Sequence, residues 1–346
     1  PWAIFFSRGG HDASLSLGLF ILSVFLFMKS LANQKWLILS LLIAGLSGLA
    51  YFSEKYLTFI FFPLAIYIFR EKFKNRKIIL IGILVLFLTQ LPQLPLLNSS
   101  AFTRRVDQVN YWNDKSFNQN GEGLRYIPFG KIIYISQEFI SHYVEYFSPR
   151  SLFVDPDPQG VRSMPDLSVF YIWMIVPLWF GIKIMLKKIS EPFFKILAIL
   201  LFVSPIPAAL TTDPFYSIRT LTLFWVLTII IAFGSDYLLG LISSKFVRIS
   251  LAAILVAVSL ISFYNSYFIL LKHERSAIYG YEYKQLIEKL NEFKGRKVVV
   301  DASRVPGVHI WIPYYGKIDP VKFQIQTSDI IKKNYCSFAN LSLFYY

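Results

Sequence analysis

The order of apolar and polar positions divides the chain into two groups of apolar runs around one long polar stretch, Asn98–Pro165. A helix needs about 20 apolar residues to cross a hydrocarbon layer of about 30 Å. We therefore predict eight membrane-spanning helices, four on each side of the polar stretch. The second and third runs are short, which predicts a thin helical hairpin around Ser53–Lys55. The predicted spans are Ala13–Met28, Trp36–Phe52, Tyr56–Phe69, Ile78–Leu97, Leu167–Leu186, Phe193–Leu210, Ile218–Ile242 and Ile249–Leu271.

The composition favours the same fold class, because 55% of the 346 residues are hydrophobic, 16% are charged and the mean hydropathy is +0.50. An all-α polytopic membrane protein is the expected result. In a soluble protein the net charge of +14 would indicate a nucleic-acid partner. Here the basic residues cluster in connections between apolar runs, so we predict no nucleic-acid partner. The one cysteine, Cys336, excludes an intramolecular disulfide and argues against a thiolate metal site.

Basic residues occupy every second connection between the predicted spans, as alternating crossings require. The positive-inside rule places these connections in the cytoplasm. The polar stretch, the segment Thr211–Ser217 and the tail from Lys272 then lie on the other face. The basic positions are Lys29, Lys35, Arg70, Lys72, Lys74, Arg76, Lys77, Lys183, Lys187, Lys188, Lys195, Lys245 and Arg248.

The polar stretch contains one segment with helical periodicity, Lys131–Phe147. Two interpretations of it are equally supported: a helix that lies in the membrane interface with its apolar side down, and an ordinary packed helix of a small external domain. One face is predicted to carry Ile132, Phe139, Tyr143 and Phe147, and the other Lys131, Glu138, His142 and Glu145.

The tail after Lys272 has a different pattern, in which a helix face is followed by the strand-like run Lys297–Asp301. This predicts a small external α/β appendage. No glycine-rich loop follows the run, so a dinucleotide site is not expected there. The predicted division is residues 1–97 and 167–271 for the two groups of spans, 98–166 for the external loop and 272–346 for the tail.

Charged residues also lie at the outer ends of the predicted spans. Each taken alone is best explained as an anchor in the headgroup region. Together they bring carboxylates and cations to one face of the membrane, and ionisable groups at membrane depth mark functional sites. Arg8, Lys55 and Arg219 could hold a lipid phosphate, and Asp12 could orient a second group or a cation. Fixed cations would stabilise the negative charge on a departing phosphate, which favours sugar transfer from a polyprenyl phosphate. The residues concerned are Arg8, Asp12, Glu54, Lys55, Asp213 and Arg219.

The polar stretch holds many more groups capable of chemistry. We interpret His142 as a satisfied polar group rather than a catalyst, because no nucleophile is paired with it. A turn is the favoured role of Asp155 and Asp157, although a divalent cation is an alternative. No group of His and Cys has metal-ligand spacing, so no metal site is predicted. The residues are Arg104, Arg105, Asp107, Asp114, Glu138, His142, Asp155, Asp157 and Arg162.

Five segments, taken in order, resemble the GT-C superfamily of membrane glycosyltransferases. The likeness is to bacterial and archaeal members related to the dolichyl-phosphate-mannose protein mannosyltransferases, glycosyltransferase family 39. It begins with PWAIFFSRGGHD, in which Ser-Arg is followed by an acidic residue four positions on. The segments are Pro1–Asp12, Tyr51–Tyr56 with Pro63, His142–Ser163, Pro207–Arg219, and Lys297–Val300 with Tyr314–Pro320.

The resemblance implies a prokaryotic plasma-membrane enzyme that transfers a sugar from a polyprenyl-phosphate donor to an acceptor protein, lipid or glycan on the outer face, usually with inversion. Asp12 matches the second acidic position of that family. The acidic motif that carries the catalytic base would precede Pro1, so we expect a C-terminal part of the enzyme without activity of its own. The His often found beside the segment that Arg162 and Ser163 match is absent. Possible acceptor or lid contacts are Glu138, His142, Arg162 and Asp213.

Two other functions remain open at this point. A transporter or flippase of a lipid-linked or anionic substrate would use the same span ends, although such proteins tend to show repeated halves and spans broken at the midplane. A non-enzymatic scaffold with a partner-binding tail is the third hypothesis.

Overall fold

The computed structural model describes residues 1–97, 109–290, 292 and 308–325. This part of the chain is mainly helical and contains no β-strand, only an isolated bridge between Met164 and Leu167. The chain divides into two compact units, residues 1–266 and residues 267–346.

The α-helices of the first unit follow the predicted order of apolar runs. Short 3₁₀ turns connect several of them, among them Ile172–Met174 and Ser217–Thr220. The helices are α1 (Trp2–Arg8), α2 (Asp12–Ser30), α3 (Trp36–Ala50), α4 (Phe52–Ile68), α5 (Arg76–Gln90), α6 (Leu94–Leu97), α7 (Asp114–Asn120), α8 (Gly130–Glu145), α9 (Pro149–Phe153), α10 (Ile175–Lys187), α11 (Pro192–Val203), α12 (Ile206–Ala209), α13 (Leu221–Gly240) and α14 (Lys245–Tyr264).

Five helical segments within the described residues are long and apolar enough to cross a membrane. The expected count of eight is not supported, because α3, α4 and α10 have only 15, 17 and 13 residues. Of these three helices, α10, in the fifth predicted span, has the fewest residues. The first residues of that span, 167–170, are buried in a loop, and the chain is helical only from Ile172. The five segments are Asp12–Ser30, Arg76–Gln93, Pro192–Ala209, Ser217–Gly240 and Lys245–Glu274.

The hairpin between α3 and α4 turns at a single residue. Tyr51 is extended, with φ −147° and ψ 143°, and α4 begins directly after it at Phe52. Ser53, Glu54 and Lys55 therefore form the first turn of a helix, and the turn predicted around them lies two residues earlier.

Small residues allow the central helices to approach closely. A Cβ atom on Gly181 would lie 1.9 Å from the Ile230 carbonyl oxygen, and one on Gly234 would lie 1.8 Å from the Pro177 oxygen. Helix α10 therefore packs backbone to backbone against α13. Serines join α2 to α3 in the same way: Ser16 donates to the Ser47 carbonyl oxygen at 2.8 Å. Close approach at small residues is typical of helix pairs in membranes.

Helix α14 presents mainly apolar residues to its surroundings. None of the most apolar window of Lys245–Glu274 is buried within the structure. Water would be an unfavourable environment for so much apolar surface, whereas lipid would not. The exposed residues include Ile249, Ile254, Val256, Val258, Leu260 and Ile261.

In the second unit, α15 (Leu271–Glu274), α16 (Tyr281–Leu290) and α17 (Val308–Tyr315) are described. Helices α16 and α17 share a core of Tyr283, Ile287, Leu290 and Ile312. The predicted strand Lys297–Asp301 lies outside the described residues, so the expectation of an α/β tail has no support from them.

Helix α8 occupies the position predicted for the loop helix. His142, assigned to the polar face, is buried, and Ile132, assigned to the apolar face, is exposed. His142 is buried because Tyr111 and the segment after α12 pack on its side of the helix. Phe139, Tyr143 and Phe147 do share a half-buried face and stack along it.

Candidate functional site

A buried ion-pair network lies between the end of the external loop and the start of α13. Arg162 is 5% exposed, and its Nη2 atom lies 3.1 Å from Oδ1 of Asp157. Its Nη1 atom lies 3.0 Å from Oδ2 of Asp213. Burial alone would lower the pKa of Arg162, but Asp157, Asp213 and Tyr216 outweigh this and raise the pKa above its usual value. Arg162 therefore stays charged and links the end of the external loop to Asp213, which lies 51 residues further along the chain.

Asp157 completes the network by accepting from the turn before α13. Its Oδ2 atom accepts from the backbone N–H of Ser217 at 3.0 Å and from the Ser217 hydroxyl at 2.7 Å. The Asp-Pro repeat favoured a turn for this residue, and its Oδ1 atom accepts from the Gln159 N–H as in an Asx turn. Asp157 is also buried, which the sequence did not predict.

Two arginines stack on the ring of Tyr216. The guanidinium carbon of Arg162 is 3.5 Å from the ring centre, and that of Arg219 is 3.9 Å from it. One face has no room for two guanidinium groups at these distances, so the ring lies between them. The backbone N–H of Tyr216 donates to the hydroxyl of Tyr146 at 3.1 Å. This hydrogen bond fixes the position of the Tyr216 backbone and so of the ring that it carries. Tyr146 is fully buried, and burial raises its pKa, so this hydroxyl stays neutral.

Arg219 is the end of this stack that is not ion-paired. It is half-buried, and Tyr51, at the junction of α3 and α4, lies within hydrogen-bonding reach of it. Within residues 1–97, 109–290, 292 and 308–325, the ion pairs found involve other side chains, and no carboxylate is within ion-pair distance of Arg219. Its planar N–H donors and its positive charge suit a phosphate or a carboxylate ligand.

The other predicted phosphate ligands lie at helix ends too. Arg8 is exposed at the end of α1, and Asp12 is exposed in the first turn of α2. Lys55 donates to Oε1 of Gln93 and lies 4.6 Å from the ring centre of Phe52. The structure joins Lys55 to the 3₁₀ turn that follows α5 and joins Arg219 to Tyr216. A joint phosphate site of Arg8, Lys55 and Arg219 stays a prediction.

Glu138 and His142 meet on α8. The two residues are one helical turn apart, with Nε2 of His142 3.4 Å from Oε2 of Glu138. The Nδ1 atom of His142 lies 2.9 Å from the Thr211 carbonyl oxygen, and its ring meets Tyr111 edge to face. Both ring nitrogens thus have partners, which is the arrangement of a structural histidine. Tyr111 donates to the Ala209 carbonyl oxygen at 2.9 Å, so this cluster holds the external loop against α12.

An open cleft adjoins the network on the side of the external loop. It encloses about 490 Å³ between the α8–α9 junction, the turn at Asp155 and the segment before Tyr216. The cleft shares Arg162 and Asp213 with the buried network. Its lining residues are Glu145, Ser148, Arg150, Ser151, Asp155, Pro156, Pro158, Gln159, Arg162, Asp213, Pro214 and Phe215.

Glu54 was among the charged residues noted at the span ends, but its burial was not predicted. Its side chain is 1% exposed, and among the described residues its Oε2 atom has no hydrogen-bond partner. Ser16 of α2 and Thr222 of α13 lie next to the carboxyl group, and Thr58 is one turn along α4. The Thr58 and Thr222 hydroxyls are also buried and have no hydrogen-bond partner in the part of the chain that the structure describes. A glutamate in the first turn of an apolar helix suggests a surface anchor, and only the packing of α2 and α13 shows otherwise.

Tyr216 and Tyr146 were also missed as functional residues. Both lie in segments of the GT-C resemblance, but tyrosines are common in this chain and only charged residues of those segments were given roles. Across the described ranges, no group of three or more His, Cys, Asp or Glu side chains is arranged to hold a metal ion.

Comparison of the chain with protein-family models, with curated proteins and with solved structures gave no match.

Proposed function

We propose that this chain is a membrane glycosyltransferase of the GT-C type, which uses a polyprenyl-phosphate sugar as donor. The single observation that supports it most is Arg219, a half-buried guanidinium at the end of the helical body that is held by tyrosines rather than by a carboxylate. A charge in that environment is poorly solvated and gains from an anionic ligand. The resemblance of five segments to that superfamily is the second support.

The proposed chemistry is displacement at the anomeric carbon. The acceptor hydroxyl oxygen attacks that carbon, the bond to the donor phosphate oxygen breaks with its electron pair, and the hydroxyl proton passes to a carboxylate acting as general base. Arg219 stabilises the charge that develops on the phosphate. Lys55 and Arg8, on the same face of the membrane as Arg219, add positive charge. Asp12 orients donor or acceptor. Inversion at the anomeric carbon is the expected outcome of a single displacement.

The proposed location of the site is the outer face of the membrane. The N-terminal ends of α2, α4 and α13 carry Asp12, Lys55 and Arg219, and the strongly basic connections lie at the opposite helix ends. The positive-inside rule then assigns the candidate residues to the extracytoplasmic side. A full eight-crossing topology belongs to this proposal and requires the short helices α3, α4 and α10 to cross a locally thinned bilayer.

Binding of a polyprenyl phosphate tests the proposal without requiring turnover. The full chain is placed in nanodiscs and titrated with undecaprenyl phosphate. Arg219→Ala should weaken binding at least tenfold, and Arg219→Lys should restore little, because an ammonium cannot reproduce the planar stack. Lys245→Ala removes a charge at the start of α14, beyond the end of α13 opposite to Arg219; it is the control and should bind normally. Equal affinities for Arg219→Ala and the unsubstituted chain would refute the phosphate site.

A transporter or flippase is the second candidate, and Glu54 is the observation that favours it. Ionisable side chains buried among membrane helices often mark proton or ion pathways. Glu54, Thr58 and Thr222 bring unpartnered oxygens from two helices into one buried region. Flux of a lipid-linked or anionic substrate into vesicles that depends on Glu54, without formation of a glycosidic bond, would favour this candidate over the transferase.

A further inference from the structure

The cleft of about 490 Å³ beside Arg162 lies in the size range of small-ligand pockets, roughly 300–1,000 Å³. Its walls come from three separate segments of the external region. Asp155 and Gln159 belong to the turn after α9, Glu145 ends α8, and Asp213 precedes α13. Asp213 pairs with the buried Arg162, and Asp155 pairs with the exposed Arg150, so both carboxylates of the cleft wall face an arginine.

The charges of the cleft argue against an anionic ligand. Both arginines that line it already face carboxylates: Arg162 pairs with Asp157 and Asp213, and Arg150 pairs with Asp155. Glu145 adds a further carboxylate, which accepts from the Ser151 hydroxyl. The lining therefore has no positive charge left over for a phosphate, in contrast with Arg219.

The hydrogen-bonding groups of the cleft distinguish a cationic ligand from a neutral ligand with hydroxyl groups. Carboxylate oxygens of Asp155 and Asp213 accept, whereas the amide of Gln159 and the terminal N–H groups of the 80% exposed Arg150 donate. An ammonium group only donates and would leave the protein donors unused. A hydroxyl group both donates and accepts, so a ligand with several hydroxyls matches both kinds of wall group.

We propose that this cleft binds a neutral carbohydrate. The inference rests on the proposed function, under which the carbohydrate is the acceptor glycan, and it specifies the acceptor class that the sequence left open among protein, lipid and glycan. The cleft is separate from the donor-phosphate site, because Arg219 does not line it. The two sites are neighbours, since Arg162 lines the cleft and also stacks on Tyr216, which Arg219 contacts as well.

The test is binding of neutral gluco- and manno-oligosaccharides of two to four units to the full chain in nanodiscs, measured by saturation-transfer NMR. We expect Asp155→Asn and Gln159→Ala each to weaken binding at least fivefold. Asp155 is half-exposed, so its amide variant is expected to fold. The matched control is Asp114→Asn, which removes a carboxylate from the exposed Lys131–Asp114 pair outside the cleft and should leave binding unchanged.

Two results would overturn the proposal. One is that no neutral oligosaccharide of the panel binds, or that those that bind do so equally to Asp155→Asn. The other is that a lysine-rich peptide binds in an Asp155-dependent manner while the oligosaccharides do not, which would assign the cleft to a cationic peptide. Undecaprenyl phosphate binding, measured on the same variants, should be unaffected, so failure here is distinguishable from failure of the Arg219 site.

Discussion

The guanidinium carbon of Arg219 lies 3.9 Å from the ring centre of Tyr216, whose other face is covered by Arg162. The ring thereby connects an ion-paired arginine, Arg162, to one that forms no ion pair with any described residue. Since Arg162 is fixed by Asp157 and Asp213, the position of Arg219 depends on residues that lie well away from it in sequence. A ligand that binds Arg219 thus meets a side chain already ordered before binding, which reduces the entropy lost on association.

The first prediction concerns the ring itself. Tyr216→Ala removes two cation–π contacts, each worth about 0.5–2 kcal/mol, and opens a gap between the arginines. We expect the free energy of unfolding to fall by roughly 2–4 kcal/mol and undecaprenyl phosphate binding to weaken with it. Tyr216→Phe keeps the ring and is the control, with near-normal values for both. Equal losses in the two variants would show that the hydroxyl, and not the stack, matters.

The second prediction concerns Asp157. Asp157→Asn keeps the shape of the side chain but leaves the buried Arg162 with one carboxylate, and breaking a buried pair costs about 3–5 kcal/mol. Chemical denaturation of the detergent-solubilised chain should show a loss in this range. The comparison is Asp114→Asn at the exposed Lys131–Asp114 pair, where about 1 kcal/mol or less is expected. A loss below 1 kcal/mol for Asp157→Asn would contradict the network described above.

Hydrophobic patterning predicted where most helices lie, because a long apolar run has few other stable states in a membrane. Residues Ala13–Met28 were predicted as a span, and the helix is Asp12–Ser30. The count of spans failed where tertiary packing decides the outcome. The mainly apolar residues 167–170 pack in a loop after Asp166, which has a positive φ of 54°. No residue pattern separates a buried loop from the first turn of a helix.

The candidate site was predictable only in part. Charges at helix ends drew attention to Arg219 and Arg162, since such residues are rare in an apolar chain. Their partners were not predictable from the sequence. Tyr216 contacts Arg219 by stacking, and Asp157 accepts a hydrogen bond from Ser217, which lies 60 residues further along the chain. The burial of His142 has the same cause: Tyr111 and Thr211 come from other parts of the chain.

The third prediction is a dependence on alkaline pH. Burial, and then the charge of Glu138, raise the pKa of Tyr111 from its usual value near 10 to about 12. The folded state therefore keeps the neutral phenol after the unfolded state has ionised. The stability that Tyr111 contributes is fully present below pH 10 and is lost as the pH rises toward 12. Denaturation of the chain at pH values between 9 and 12 measures this loss.

Tyr111→Phe is the matched variant for that measurement. It lacks the hydroxyl that donates to the Ala209 carbonyl oxygen, so we expect it to be less stable by about 1–2 kcal/mol at pH 8. The gap between the two proteins should close as the pH approaches 12. A gap that stays constant over the whole range would mean that Tyr111 does not titrate between 10 and 12.

The fourth prediction tests the contact between α10 and α13. Gly234→Ala places a Cβ atom 1.8 Å from the Pro177 carbonyl oxygen, so the two helices must separate. We expect a loss of about 1–3 kcal/mol from overpacking, seen as a lower unfolding temperature in detergent. Gly18→Ala is the control, since nothing lies within 4 Å of its Cβ position in α2. Gly18→Ala should be neutral or slightly stabilising, because alanine is the better helix former. Equal effects of the two substitutions would contradict the close packing of α10 on α13.

The fifth prediction decides whether the Glu54 carboxyl group is charged. An ionised carboxylate that is 1% exposed and lacks a cationic partner would cost several kcal/mol, whereas a protonated one would not. In that case Glu54→Gln, which has nearly the same shape and is also neutral, should change the free energy of unfolding by about 1 kcal/mol or less. Glu54→Ala should cost more, about 2–4 kcal/mol, because it leaves a cavity between α2, α4 and α13. The exposed Glu71→Gln is the control for general effects of removing a carboxylate. A loss of about 3 kcal/mol or more for Glu54→Gln would instead mean that Glu54 is ionised in the folded state.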